Sequence, residues 1–156
     1  MEFKEVTSNN AEIRRFQKMS SGQGIMVRVQ ELGSMDNRKW KPTSVAVSVT
    51  PYDELSYIAD LEYHADNEIK RIKVEKRRGP TRVVEYDYEG HLFKDSMYDA
   101  DYNRYHKVNV YSNNYVSDAG NRIYEGPVIS NDLLNQFRET VKEVEKLAND
   151  EKTKSL

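Results

Sequence analysis

Positively charged side chains concentrate in residues 68–78, where six positions are Lys or Arg and two are Glu. Ile72 and Val74 alternate with Arg71 and Lys73, which predicts a strand whose cations share one face. Cations spaced along a strand can neutralise successive phosphates of a nucleic-acid backbone. The alternative is a solvated edge strand, in which lysines oppose aggregation.

Aromatic residues that could stack on bases accompany these cations. Trp40 follows Lys39 and precedes Lys41 at a predicted hairpin tip, and the chain has 11 tyrosines but 4 phenylalanines. Stacking on aromatics is how many proteins hold single strands. The alternatives are that tyrosine suits half-exposed strands and that Trp40 folds back as packing. The residues predicted to contact nucleic acid are Arg28, Lys39, Trp40, Lys41, Lys70, Arg71, Lys73, Arg77, Arg78, Tyr86, Lys107 and Tyr111.

Other chemistry-bearing patterns are weak. The histidines His64, His91 and His106 have no metal-ligand spacing. Residues 99–103 resemble the start of a calcium loop but lack its glycine and its distant glutamate. Residues 68–70 match the acid-x-Lys pattern of some nucleases, which three residues do often by chance. The sequence therefore predicts a protein that is not an enzyme and needs no cofactor or metal.

Charge and composition limit the function classes. The formal net charge is −2, so nucleic-acid binding would depend on a local patch. The chain has no cysteine, which excludes disulfides and thiolate metal sites. No apolar run approaches the roughly 20 residues of a membrane span, and residues 1–10 are too polar for a signal peptide. We expect a cytoplasmic protein, or one acting in a host cytoplasm if viral, with no membrane contact.

The elements that would position these residues centre on residues 24–61. Residues 24–32 alternate apolar and polar side chains, and so do residues 44–49, which predicts two strands joined by the polar turn 33–39. Residues 50–65 carry a Thr-Pro start and an apolar residue every three positions, which predicts a capped helix.

The rest of the chain predicts further strands and a C-terminal helix. Residues 95–104 are predicted to form an irregular acidic loop, and Ser130 to cap a last helix with one apolar face. The other predicted strands cover residues 3–7, residues 12–19 with a bulge, and residues 68–78, 82–88, 91–94, 105–111 and 122–129.

Three segments in this order resemble a known family. Residues 27–32 read Val-Arg-Val-Gln-Glu-Leu, residues 41–42 read Lys-Pro, and residues 47–51 read Val-Ser-Val-Thr-Pro. With the upstream residues 16–19, they resemble the single-stranded-DNA-binding domain of the transcriptional coactivator family known as positive cofactor four. The resemblance covers residues 12–62 and implies a sheet followed by a helix, a homodimer and a DNA-binding sheet face. An aromatic position of the family falls on Gly33 here.

The two halves of the chain follow one order of strands, polar hairpin, short strand after a proline and capped helix. This predicts an α+β fold with two strand-strand-strand-strand-helix repeats, in which curved antiparallel sheets and packed helices form a pseudo-dimer. The expected units are residues 1–66 and 67–149, with a flexible tail at 150–156. Each unit alone is too small to bury its sheet well.

These patterns predict a single-stranded nucleic-acid-binding protein of replication, recombination or transcription, with a phage among its expected sources. The expected partners are single-stranded DNA or RNA and a host or replication protein, bound by a monomeric pseudo-dimer or a homodimer. The rival prediction is a small protein-binding inhibitor or adaptor without a nucleic-acid role. The missing aromatic at Gly33 favours that rival, and the basic stretch 68–78 disfavours it.

Overall fold

Nine antiparallel strands follow one another across a single sheet in the same order as in the sequence. This is seen in a computed structural model that describes residues 2–6, 12–34, 36, 38–50, 56–77, 80–99, 104–108 and 129–154. The strands are β1 (Lys4–Val6), β2 (Ile13–Ser20), β3 (Gln23–Leu32), β4 (Lys39–Val49), β5 (Tyr57–Tyr63), β6 (Ile69–Lys76), β7 (Thr81–Tyr86), β8 (Leu92–Asp99) and β9 (Arg104–Val108), and the helix α1 spans Asn131–Lys154.

Tight turns of suitable residues make this meander possible. Gly22, between β2 and β3, has φ +76°, and Gly90, between β7 and β8, has φ +85°, a region that favours glycine. Asn67, between β5 and β6, has φ 70°, which asparagine tolerates better than most residues. Each neighbouring strand pair is therefore antiparallel and local in sequence.

The predicted pair of repeats is wrong. Strand β5 pairs directly with β6, from Tyr57 opposite Lys76 to Tyr63 opposite Ile69, so the sheet is continuous across the expected boundary at residues 66 and 67. The part of the chain described here has one helix, α1, at its C-terminal end. This one helix packs on one face of the sheet, so the described residues have no internal dimer symmetry.

The predicted helix over residues 50–65 is also wrong. Residues 57–63 form β5, while residues 51–55 lie outside the described part. Two patterns overlap in this stretch, because Ile58 and Leu61 fit a helical stripe while Ala59 and Leu61 alternate with exposed neighbours. Ala59 pairs with Val45 of β4. Because a strand buries both Ala59 and Leu61 between β4 and β6, the segment forms a strand and not a helix.

Two smaller predictions also differ from the structure. Residues 95–99, expected in an irregular loop, belong to β8 and pair with β9. The bulge expected in residues 12–19 is absent from the β2–β3 ladder, and a register shift occurs instead between Arg28 and Val29, where β3 meets β4. The bulge lies where Pro42 interrupts the ladder, because proline has no amide hydrogen to donate.

The C-terminal helix is confirmed. The Ser130 hydroxyl oxygen accepts a hydrogen bond from the Leu133 amide at 3.2 Å, as an N-cap does. The helix extends to Lys154, through most of the segment expected to be a tail. Within the described residues, no helix is both long and apolar enough to cross a membrane.

The main core lies between α1 and the face of the sheet turned toward it. Phe137 contacts Tyr57 edge-on, with ring centroids 4.9 Å apart. The buried apolar residues of this core are Phe3, Phe16, Val27, Val29, Val45, Val47, Ala59, Leu61, Ile72, Val74, Val84, Ile129, Leu134, Phe137, Val141, Val144 and Ala148. Because strand residues alternate, burying these positions turns the intervening ones away from the helix.

Candidate binding surface on the outer face of the sheet

The face of strands β2–β6 that is turned away from α1 is the candidate functional site, and we call it the outer face. Its residues alternate with the buried core positions and lie side by side in the strand register. They are Arg15, Gln17, Met19, Gly24, Met26, Arg28, Ser44, Ala46, Ser48, Ile58, Asp60, Glu62, Arg71, Lys73 and Glu75.

One end of the outer face is an apolar groove of about 510 Å³ over β2, β3 and β4. Met26 lies opposite Ala46, whose small side chain keeps the floor low. Met19 lies opposite Gly24, and a Cβ on that glycine would come within 3.1 Å of the Met19 sulfur. Glycine at this position therefore lets the methionine lie across β3.

Large apolar side chains are exposed around this groove. Met19 is 52% exposed, and Ile58, which lies opposite Ala46, is 48% exposed. Together with Met26 they form a contiguous apolar surface rather than scattered single residues. Contiguous patches of this kind mark contact sites on many soluble proteins, and methionine adapts its shape to a partner.

Two arginines border the groove. Arg15 of β2 lies opposite Arg28 of β3, and both side chains are exposed. The ion pairs found within the described residues include neither of them. Like charges directly across a strand pair lower stability, so the charges of this pair do not help the sheet to fold. An anionic group between the guanidinium groups would relieve the repulsion.

Cations at the other end of the outer face have acidic neighbours. Arg71 lies between Glu62 and Glu85 in the register, with an Nη1–Oε1 distance to Glu62 of 3.8 Å. The ammonium group of Lys73 is 2.9 Å from the carboxylate of Glu75. Positive potential on the outer face is therefore concentrated at Arg15 and Arg28.

The residues predicted to contact nucleic acid are divided by the fold. Arg28, Arg71 and Lys73 share the outer face, as their strand alternation predicts. Lys39 begins β4 and is exposed, and so are Lys70 in β6 and Arg77 after it. Arg78 and Tyr111 lie outside the described residues, and Lys107 lies in β9, whose side chains are not described.

Trp40, Lys41 and Tyr86 contact the helix side instead. The Trp40 ring is half-buried beneath the Arg14 guanidinium, whose Cζ is 4.8 Å from the ring centroid. Lys41 forms an ion pair with Glu145 of α1 at 2.7 Å, and Tyr86 accepts a hydrogen bond from Arg138 of α1. The expectation that Trp40 lies exposed at a hairpin tip is therefore wrong.

The outer-face residues Arg15, Met19, Met26 and Ile58 were missed by the sequence reasoning. A usable signal exists, because Ser20 and Gln23 form the last pair before a two-residue turn. Counting back from that turn places Arg15 opposite Arg28 and Met19 opposite Gly24. The sequence pattern places Ile58 in a helix, so its position beside the groove does not follow from the sequence.

The described residues include no group of three His, Asp or Glu side chains placed to hold a metal ion. The outer face carries apolar side chains, cations, carboxylates and small polar groups. Comparison of the chain with protein-family models, with curated proteins and with solved structures finds no match.

Proposed function

We propose that this protein is a binding module that docks an acidic segment of a protein partner on its outer face. The observation that carries the proposal is the position of an exposed methionine-lined groove beside two adjacent arginines, Arg15 and Arg28. They lie on a sheet face that no helix of the described residues covers. Apolar side chains of the partner would fill the groove. Its carboxylates would face the two guanidinium groups.

The chemistry of the groove fits such a partner. Gly24, Ala46 and Ser48 have small side chains, which leave the floor of the groove low. Side chains of a partner can therefore reach the backbone of β3 and β4. Met19 and Met26 supply flexible apolar walls, which suit partner side chains of varied shape. Guanidinium groups bind carboxylates with two parallel hydrogen bonds, which adds orientation to affinity.

Selection from a library of random linear peptides tests this proposal. Peptides are selected on the wild-type protein, and the bound sequences are then titrated against Met26→Asp and Arg28→Glu. We expect apolar peptides enriched in Asp and Glu, with affinity at least about tenfold weaker for either variant. Lys146→Glu, an exposed helix residue outside the groove, is the control for the added negative charge and should bind as the wild type does.

The proposal fails if the selected peptides carry no acidic bias or bind Met26→Asp and wild type equally. A second copy of this chain is another occupant of the groove, and light scattering would detect it. In that case the wild type would be dimeric in light scattering, and Met26→Asp would be monomeric.

Single-stranded nucleic acid is the second candidate ligand. It is favoured by the placement of Arg28, Arg71 and Lys73 on the same sheet face as Arg15. It is disfavoured by Trp40 and Tyr86, since both aromatics contact α1 or residues beside it and do not accompany those cations. Phosphates would then contact the arginines, with little base stacking.

Fluorescence anisotropy of a labelled single strand at two salt concentrations distinguishes the two ligands. A nucleic-acid function predicts steeply salt-dependent binding with preference over duplex. It also predicts that Arg15→Ala and Arg28→Ala each reduce the slope of log affinity against log salt by about 1. Arg71→Ala and Lys73→Ala, whose charges have carboxylate neighbours, should reduce it less. Salt-independent or absent binding rejects this candidate.

A further inference from the structure

A second cavity lies on the opposite side of the sheet, between α1 and strands β4–β7. Its volume is about 390 Å³, within the range of small-ligand sites. One wall is a single stripe of α1, and the floor comes from four neighbouring strands. The lining residues are Lys41, Tyr63, Asn67, Glu68, Ile69, Tyr86, Gly90, Arg138, Val141, Lys142 and Glu145.

The inner end of this cavity is a neutralised, buried polar cluster. Lys41 is nine-tenths buried, and its ammonium group is 2.7 Å from the Glu145 carboxylate. The Tyr63 hydroxyl donates to the Pro42 carbonyl oxygen at 2.5 Å. Burial, and secondly the Glu145 carboxylate, raise the pKa of Tyr63 and keep its hydroxyl neutral. Each of these polar groups therefore has a partner within the protein.

The outer wall carries cations that are not neutralised in the same way. Arg138 and Lys142 lie one turn apart on α1 and both line the cavity. Within the described residues, neither has a carboxylate at ion-pair distance, and Arg138 donates a hydrogen bond to the Tyr86 hydroxyl. Partial burial lowers the pKa of the Arg138 guanidinium, because desolvation disfavours its charged form.

We propose that this cavity binds a small organic anion, a carboxylate or phosphate group on a compact apolar body. The anionic group would lie between Arg138 and Lys142, where it removes the repulsion of two like charges at helical i, i+4 spacing. The apolar body would contact Ile69 and Val141. The ligand would contact both α1 and the sheet, so binding would stabilise their docking.

Titration calorimetry with simple probes tests this site. The probes are benzoate, phenyl phosphate and inorganic phosphate, with benzyl alcohol and benzylamine as the neutral and cationic comparisons. We expect saturable binding of benzoate or phenyl phosphate, whichever anionic group fits, and none of the alcohol or the amine. Inorganic phosphate should bind more weakly than phenyl phosphate, because it has no body to contact Ile69 and Val141.

Variants then locate the binding. Lys142→Gln, at an exposed position, should lower the affinity for the anion about tenfold without unfolding the protein. Arg138→Gln should lower this affinity at least as much. Arg138→Lys should restore part of the affinity. Lys146→Gln, one turn further on and outside the cavity lining, should bind as the wild type does.

The proposal is overturned if no aromatic anion binds, or if the anion binds Arg138→Gln/Lys142→Gln as tightly as wild type. Because Met26→Asp changes the other face of the sheet, it should leave anion binding unchanged. The two sites can therefore fail separately.

Discussion

The Arg82 guanidinium and the Asp95 carboxylate form a bidentate ion pair in the protein interior, with N–O distances of 3.0 and 2.6 Å. The two side chains are 2% and 0% exposed. Arg82 also donates to the Ile129 carbonyl at 2.7 Å and to the Asn131 side-chain oxygen at 2.9 Å. Because these residues flank the helix cap, one guanidinium joins β7, β8 and the start of α1.

Arg82→Ala should lower the free energy of unfolding by about 3–5 kcal/mol, because it leaves the Asp95 carboxylate buried without its partner. Urea denaturation followed by circular dichroism measures the loss. Arg71→Ala is the matched control, since the Arg71–Glu62 pair is exposed and 3.8 Å long. It should change stability by no more than about 0.5 kcal/mol.

A double variant separates the loss of the ion pair from the cost of leaving one buried charge unpaired. Replacing both partners, as Arg82→Met/Asp95→Leu, should restore part of the lost stability because no unpaired charge remains. If Arg82→Ala unfolds at the same urea concentration as the parent, the pair does not anchor the helix as described.

Phe137→Ala should lower the free energy of unfolding by about 3–5 kcal/mol, because the ring is 3% exposed and fills the space between α1 and Tyr57. Leu133→Ala, on the same helix but half-buried, is the control and should cost less. Thermal melting of both variants gives the comparison. Equal melting temperatures for Phe137→Ala and the parent would show that the helix is not packed on the sheet.

Long strands and the capped helix could be predicted from the sequence because their signals are local. The alternation around Val27 and Val45 and the helix start at Ser130 each lie within a short window. The segment around Ile58 could not be assigned in this way, since its apolar spacing fits a helix and a strand equally. Pairing with β4 and β6 decides its structure, and that information is not in the segment.

Site residues are harder to predict, because the identity of a charged residue does not indicate which distant residues it contacts. Arg82 begins a predicted strand, but its acceptors come from β8 and from the start of α1, 13 to 49 positions later. Lys41 is similarly neutralised by Glu145, 104 residues away. Strand alternation predicts that Arg28 is exposed, whereas the position of Arg15 opposite it follows only from the register of β2 and β3.

Trp40→Ala should lower stability by about 2–4 kcal/mol and leave ligand binding unchanged. The ring supports the Arg14 guanidinium, which also donates to the Ala148 carbonyl at 3.0 Å. The Trp40 backbone is held by the Asn149 side chain at 3.0 and 3.1 Å. Thermal melting and the peptide titration, done on one variant, measure both effects. Normal stability with weaker binding would contradict this packing role.

Tyr63 predicts a loss of stability at high pH. Burial raises its pKa in the folded state above the ordinary value of about 10. Between the two pKa values the unfolded chain binds fewer protons than the folded one, so stability falls as pH rises. The contribution is therefore complete below about pH 10 and is lost progressively above it.

Tyr63→Phe should lose less stability than the parent between neutral pH and a pH above about 10, because it has no phenol to ionise. At neutral pH it should be less stable by about 1 kcal/mol, since the hydrogen bond to the Pro42 carbonyl is lost. Tyr88→Phe, at an exposed position, is the control and should follow the parent at every pH. Urea unfolding across this pH range gives the slopes, and parallel slopes for Tyr63→Phe and the parent would contradict the raised pKa of Tyr63.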